Sequence, residues 1–172
     1  MNYLMVILAF LPFYFRGIVA HYPVPNGTPI SQQFGNFPDG ADMPHVGVDF
    51  KLDSGTPVYA DMAGTIIMAL DDSRVYGRSI MIKHDIDGYT ALYGHLSKLL
   101  VHKSDHVYPG EVIGLSGGIP GTSGAGWSSG AHLHYEIRQL DHLSNNKYNV
   151  DPLQYLQRYI DMNIFPDEYK PS

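Results

Sequence analysis

The 172-residue chain contains no cysteine. Disulfides are therefore excluded, which suits either side of a membrane, and so are the thiolate-rich sites in which structural zinc usually sits. Positive charge is scarce: 11 Lys and Arg stand against 17 Asp and Glu, for a formal net charge of −6, with no Lys/Arg run. A nucleic-acid groove needs a basic surface, so no nucleic-acid partner is expected. No apolar run reaches the ~20 residues that span a bilayer as a helix. The nearest, Leu4 to Phe15, is interrupted by Pro12 and followed by Arg16. With Ile18-Val19-Ala20 as a cleavage context, residues 1–20 read as a signal- or anchor-like segment, although the positive residues usual before such a run are missing. Alternatively, this arm packs on a partner, so a membrane or assembly contact is expected through residues 1–20. Tryptophan occurs once, at Trp127.

What the chain does have is Gly (18), Pro (12) and Tyr (13), a mix that favours short strands and tight turns. Its length suits one domain with a full core. Residues 21–28 (HYPVPNGT) read as a linker, 29–160 as the folded domain and 161–172 as a C-terminal tail. Apolar stretches at 56–60, 64–69, 79–84, 89–93 and 111–115 read as strands. Asp87-Gly88 marks a hairpin, its glycine suited to the positive φ of a type I′ turn. Asp151 is a candidate N-cap and Pro152 a candidate first helical residue, ahead of a Leu153/Leu156/Ile160 stripe. The expected fold is a mainly antiparallel β domain with a short C-terminal helix.

The chemistry concentrates in histidines. In His132-Leu133-His134-Tyr135-Glu136, strand alternation puts His132, His134 and Glu136 on one face, and Leu133 and Tyr135 on the other. The two His Cα atoms would lie ~6.5–7 Å apart, so one imidazole can hold an ion while the other reaches over its open side. His45 and Asp49 would be ~13 Å apart on a straight strand, too far to share an ion, so a bend at Gly47 is required. His95, with Tyr93 and Ser97 on the same strand face, is placed to meet His132 across a cleft. Two imidazoles and a carboxylate suit a divalent ion, zinc foremost, with an open position for water. His84 reads as closing a strand towards water, and His102 and His106 as loop residues. The glycine-rich run Gly117–Gly130 carries no phosphate-loop lysine. It reads as a cleft wall, with Trp127 either a substrate contact or a loop anchor.

Taken together, His45-x-x-x-Asp49, His95-Leu96 and His132-Leu133-His134 resemble the lysostaphin-type zinc metallopeptidases, endopeptidases of peptidoglycan. Gly55–Ala60, Gly110–Gly114 and Asp151-Pro152-Leu153 are similar to accessory segments of that family. The resemblance covers roughly Pro29 to Leu156. It implies a groove on an antiparallel sheet and one Zn²⁺ per chain held by His45, Asp49 and His134. His95 and His132 are implied as catalytic histidines, and peptidoglycan peptide as the substrate, met outside the cytoplasm. Every ligand position is filled, which argues against a non-catalytic wall-binding or regulatory role. A virion-borne peptidase that pierces the wall is the other alternative. Gly117–Ser128 is about six residues longer than the family pattern, which bears on substrate preference. Phe37 and Asp39 stand where some relatives carry a tyrosine.

Overall fold

The computed structural model describes residues 20–38, 40, 42–139 and 148–161, and within these it holds eleven short strands and one helix. The strands are β1 (Ile30–Gln32), β2 (Val48–Phe50), β3 (Pro57–Tyr59), β4 (Gly64–Leu70), β5 (Ser79–His84) and β6 (Tyr89–Gly94). They continue with β7 (Leu96–Leu99), β8 (His106–Val107), β9 (Val112–Ser116), β10 (Leu133–Gln139) and β11 (Asn149–Val150), before helix α1 (Pro152–Asp161). All pairings are antiparallel. The large sheet runs β1-β2-β10-β6-β5-β4-β8, with β11 also on β10, and the small one runs β3-β9-β7. The expected fold class is observed. The apolar run Leu4–Phe15 and the tail after residue 161 lie outside the described residues.

The alternation read in the sequence sorts the two faces of the large sheet. Val48, Phe50, Ala91, Tyr93, Leu133, Tyr135 and Ile137 face the core, which Val58, Leu96 and Ile113 of the small sheet and Tyr155 and Leu156 of α1 complete. His134, Glu136 and Arg138 lie on the opposite face of β10. Register then does what sequence distance cannot. β10 lies between β2 and β6, with His134 opposite both Asp49 and Gly94.

Three local readings need correction. The hairpin at Asp87-Gly88 exists, but β5 ends at His84 and β6 begins at Tyr89. Four residues therefore connect them, and only Gly88 has positive φ (74°), whereas a type I′ turn needs two such residues. His84 does not face water; it is 1% exposed, between the Asp61 carboxylate and the Tyr155 hydroxyl. Residues 21–28 are tied to the domain rather than strung out from it: Val24 is buried in the core and the His21 amide donates to the Asp61 carbonyl. The helix start follows the reading, since an Asp151 carboxylate oxygen accepts from the amides of Leu153 (2.9 Å) and Gln154 (3.3 Å).

Candidate active site

The chain bends at Gly47 just before β2. A Cβ there would overlap the Tyr135 carbonyl and press on Glu136 and the His134 ring, so only glycine lets the His45 loop lie this close to β10. As a result His45, on the loop, and Asp49, on β2, converge with His134. His45 Nε2 lies 3.1 Å from His134 Nδ1 and 3.2 Å from Asp49 Oδ1, and His134 Nδ1 lies 2.8 Å from Asp49 Oδ1. Among the described residues, these three form the one group placed to hold a metal ion.

The donor set suits a cation. Two ring nitrogens and a carboxylate oxygen are aimed at one another, with edges close to the ~3.3 Å expected between donors ~2.0–2.1 Å from a tetrahedral zinc. Two carboxylates flank the His134 ring, Asp49 at Nδ1 and Glu136 at Nε2, the latter 2.8 Å away. Burial disfavours a charged His134, but these hydrogen bonds outweigh it and push its pKa up to about 9. Burial likewise opposes ionisation of Asp49, yet His134 and His45 hold its carboxyl below the usual carboxylate range. A pocket that favours a proton on Nδ1 favours a metal cation there for the same electrostatic reason.

His132 and His95 stand beside this triangle, their ring centroids 4.7 Å apart. His132 Nδ1 lies 2.8 Å from the Gly130 carbonyl, and His95 Nδ1 lies 2.8 Å from the Ala125 carbonyl. Carbonyls only accept, so in each neutral ring Nδ1 carries the hydrogen and Nε2 keeps a free lone pair. His132 Nε2 reaches to 3.7 Å from Asp49 Oδ1. Burial, together with the charges of His132 and His134, pushes His95 down to about 4, so it is neutral near pH 7.

Strand alternation misplaced one detail. Tyr93 and His95 do not share a face: Tyr93 points into the core, where its hydroxyl donates to Asp61 at 2.7 Å. His95 falls between β6 and β7 with φ 64°, and that left-handed step turns its ring out to the cleft. No propensity argument finds such a residue, because non-glycine residues rarely adopt this conformation.

The glycine-rich run does form a wall, and it is latched. The Arg78 amide donates to the Gly124 carbonyl (2.8 Å) and the Trp127 amide to the Val75 carbonyl (2.9 Å). A Cβ at Gly77 or Gly126 would overlap the opposing backbone. Of the two readings of Trp127, the backbone is the anchor while the side chain is 67% exposed, with the Arg74 guanidinium 5.3 Å from its ring centroid. The sequence reading gave no role to Glu136 or Tyr76. Glu136 is fully buried against His134, and the Tyr76 ring lies 5.7 Å from the His134 ring.

Residues 43–152 match the profile of peptidase family M23. The chain belongs to peptidase family M23. It is 40% identical over 94 residues to peptidoglycan DD-endopeptidase ShyA of Vibrio cholerae, a match covering 55% of this chain and 20% of that protein. The catalytic domain of lysostaphin from Staphylococcus simulans superposes with a TM-score of 0.66 at 32% identity, covering 77% of this chain and 94% of that one. A zinc-containing peptidase from Vibrio cholerae superposes with a TM-score of 0.63 at 29% identity, covering 77% and 39%. The chain spans between 20% and 41% of the length of the first curated relatives it matches. The lysostaphin-like M23 fold is the one the residue pattern led to, and membership of a metallopeptidase family implies a metal.

Proposed function

We propose that the chain is a zinc-dependent endopeptidase that hydrolyses peptide bonds of bacterial peptidoglycan outside the cytoplasm, with His45, Asp49 and His134 as metal ligands. The observation that carries this reading is the pairing of two half-sites. A two-His, one-carboxylate donor triangle lies beside two imidazoles, His95 and His132, each held at Nδ1 by a backbone carbonyl. The M23 relatives named above supply the substrate class.

A zinc ion held there would polarise the scissile carbonyl and lower the pKa of a bound water. The chain's own residues handle the protons. Of the His95/His132 pair, one Nε2 accepts the proton of the attacking water, and the imidazolium so formed passes a proton to the leaving amine as the C–N bond breaks, while the other Nε2 orients the water by accepting a hydrogen bond from it. The backbone carbonyls of Ala125 and Gly130 hold both rings in the required tautomer. The latched glycine-rich wall keeps Ala125 in place, and the cleft it borders receives an extended peptide.

The test is digestion of purified peptidoglycan of defined cross-links, followed by mass analysis of the fragments. New amine and carboxyl ends at one class of peptide bond, lost on chelation and restored by zinc, are expected. Release of fragments without new amine ends, or hydrolysis indifferent to a chelator, would overturn the proposal.

A further inference from the structure

The sheet face that carries His134 continues as a sealed row of polar groups. Glu136 is wholly buried and Arg138 is 5% exposed. One oxygen of Glu136 faces His134 Nε2 at 2.8 Å, while the other accepts from Arg138 Nε at 2.6 Å and from the Asn149 side-chain amide. The same Asn149 nitrogen donates to the Val46 carbonyl at 2.8 Å, one residue beyond His45. Arg138 also donates to the Tyr76 hydroxyl at 2.6 Å, with its guanidinium 5.2 Å from the Tyr76 ring centroid. The Tyr76 ring in turn lies against His134. Asn149 and Tyr76 both lead back to the triangle, one through the backbone beside His45 and the other through the His134 ring.

We infer that Glu136, clamped by Arg138 and Asn149, is a positioning residue that fixes His134 as an Nδ1 donor and locks the His45 loop onto β10. The inference rests on the reading of His45, Asp49 and His134 as metal ligands. A neutral imidazole has one N–H, and a carboxylate only accepts. Glu136 therefore draws the hydrogen to Nε2 and leaves the Nδ1 lone pair facing His45 and Asp49. An orienting carboxylate also raises the basicity of the ligand nitrogen. Arg138 is what lets a carboxylate remain charged in this buried position, since an unpaired buried charge is strongly destabilising. Asn149 couples the two halves of the site, because one amide group grips both Glu136 and the backbone beside His45.

The experiment is a zinc titration of metal-free protein in competition with a chromophoric chelator. It compares wild type, His134→Ala, Glu136→Gln and the paired Glu136→Leu/Arg138→Leu, with circular dichroism and melting as controls of folding. The leucine pair removes both charges together and so leaves no orphaned ion, a change that buried ion pairs often tolerate. Its zinc affinity is expected to fall roughly 10- to 100-fold. Glu136→Gln, which keeps an acceptor oxygen, is expected to fall in between. The ¹⁵N spectrum of His134 in the zinc-loaded wild type should show a metal-bound Nδ1 and a protonated Nε2, and a mixture in the leucine pair. If wild type binds no zinc, or His134→Ala binds it equally, the underlying metal-site reading fails. If wild type binds and the folded leucine pair binds within twofold of it with an unchanged His134 spectrum, the positioning role alone is overturned. Should the pair not fold, the isosteric Gln variant decides: affinity weakened at least threefold supports the role, and equal affinity overturns it.

Discussion

His95 shows how much a single backbone angle decides. Its φ of 64° costs on the order of 1–2 kcal/mol in a non-glycine residue, and the surroundings hold it there. Its amide donates to the Tyr76 carbonyl at 2.8 Å, and its ring nitrogen is fixed by Ala125. The residue-scale prediction separates ligand from proton carrier. His134→Ala should lose zinc and, with it, hydrolysis. His132→Ala should keep a full equivalent of zinc while its rate falls ~10²–10⁴-fold, the usual loss on removing a general acid or base. Metal content by atomic absorption alongside the rate of peptidoglycan hydrolysis reads both, and a metal-free His132→Ala would reverse the assignment. Gly47→Ala should behave like a ligand loss although it removes no ligand, because a methyl there drives the His45 loop off β10.

At the scale of elements, the docking of α1 depends on a buried relay at the far end of the sheet. Asp61, fully buried, accepts from Tyr93, Tyr135 and His84 at 2.6–3.0 Å. His84 then meets Tyr155 of α1 at 2.8 Å, and the Tyr155 hydroxyl donates to Asp87. With that hydroxyl donating to Asp87, the arrangement favours His84 donating at both nitrogens, which is the charged form. Burial opposes its charge, but Asp61 prevails and raises its pKa above the ordinary 6.5, with Asp87 and Asp85 adding to the effect. The stability from a raised histidine is complete below the unfolded-state value near 6.5 and is lost as pH climbs through the folded-state value. Asp61 is shifted the other way: burial raises its pKa, but His84, Tyr135 and Tyr93 bring it below 3.8. Its share is therefore present above about 3.8 and lost in stronger acid. Melting temperature should therefore fall from pH 6 towards pH 9 more steeply in wild type than in His84→Gln. Parallel curves would show that the relay carries no such charge.

For the molecule as a whole, the sheet order is the device that builds the site. Placing β10 between β2 and β6 brings residues 49, 95 and 134 together, and the proposed metal donors span two strands and a loop. Zinc binding to the folded form alone should therefore act on global stability. At a free concentration 100 times the dissociation constant, the gain is about 2.7 kcal/mol, equivalent to an upward shift of roughly 5–10 °C for a domain of this size. Melting followed with zinc and with a chelator checks this. Wild type should show the shift and His134→Ala should not.

The strands from residue 64 to 94, the cap at Asp151 and the outward face of His132 and His134 were legible in the sequence, because they follow from alternation and local hydrogen bonding. So was the need for a bend at Gly47, since four extended residues cannot bring His45 and Asp49 to one ion. The sequence could not show that His84 is buried, because its partner Asp61 lies 23 residues away, nor that the step at His95 reverses strand alternation. It named Glu136 on the correct face but gave it nothing to do, because Asn149 and Tyr76 join Glu136 and Arg138 only through β11 and the loop before β5, both from distant chain. Local pattern specifies which way a side chain points, through the two-residue period of a strand. What it points at is decided by which strands lie side by side, and that depends on the packing of the whole core.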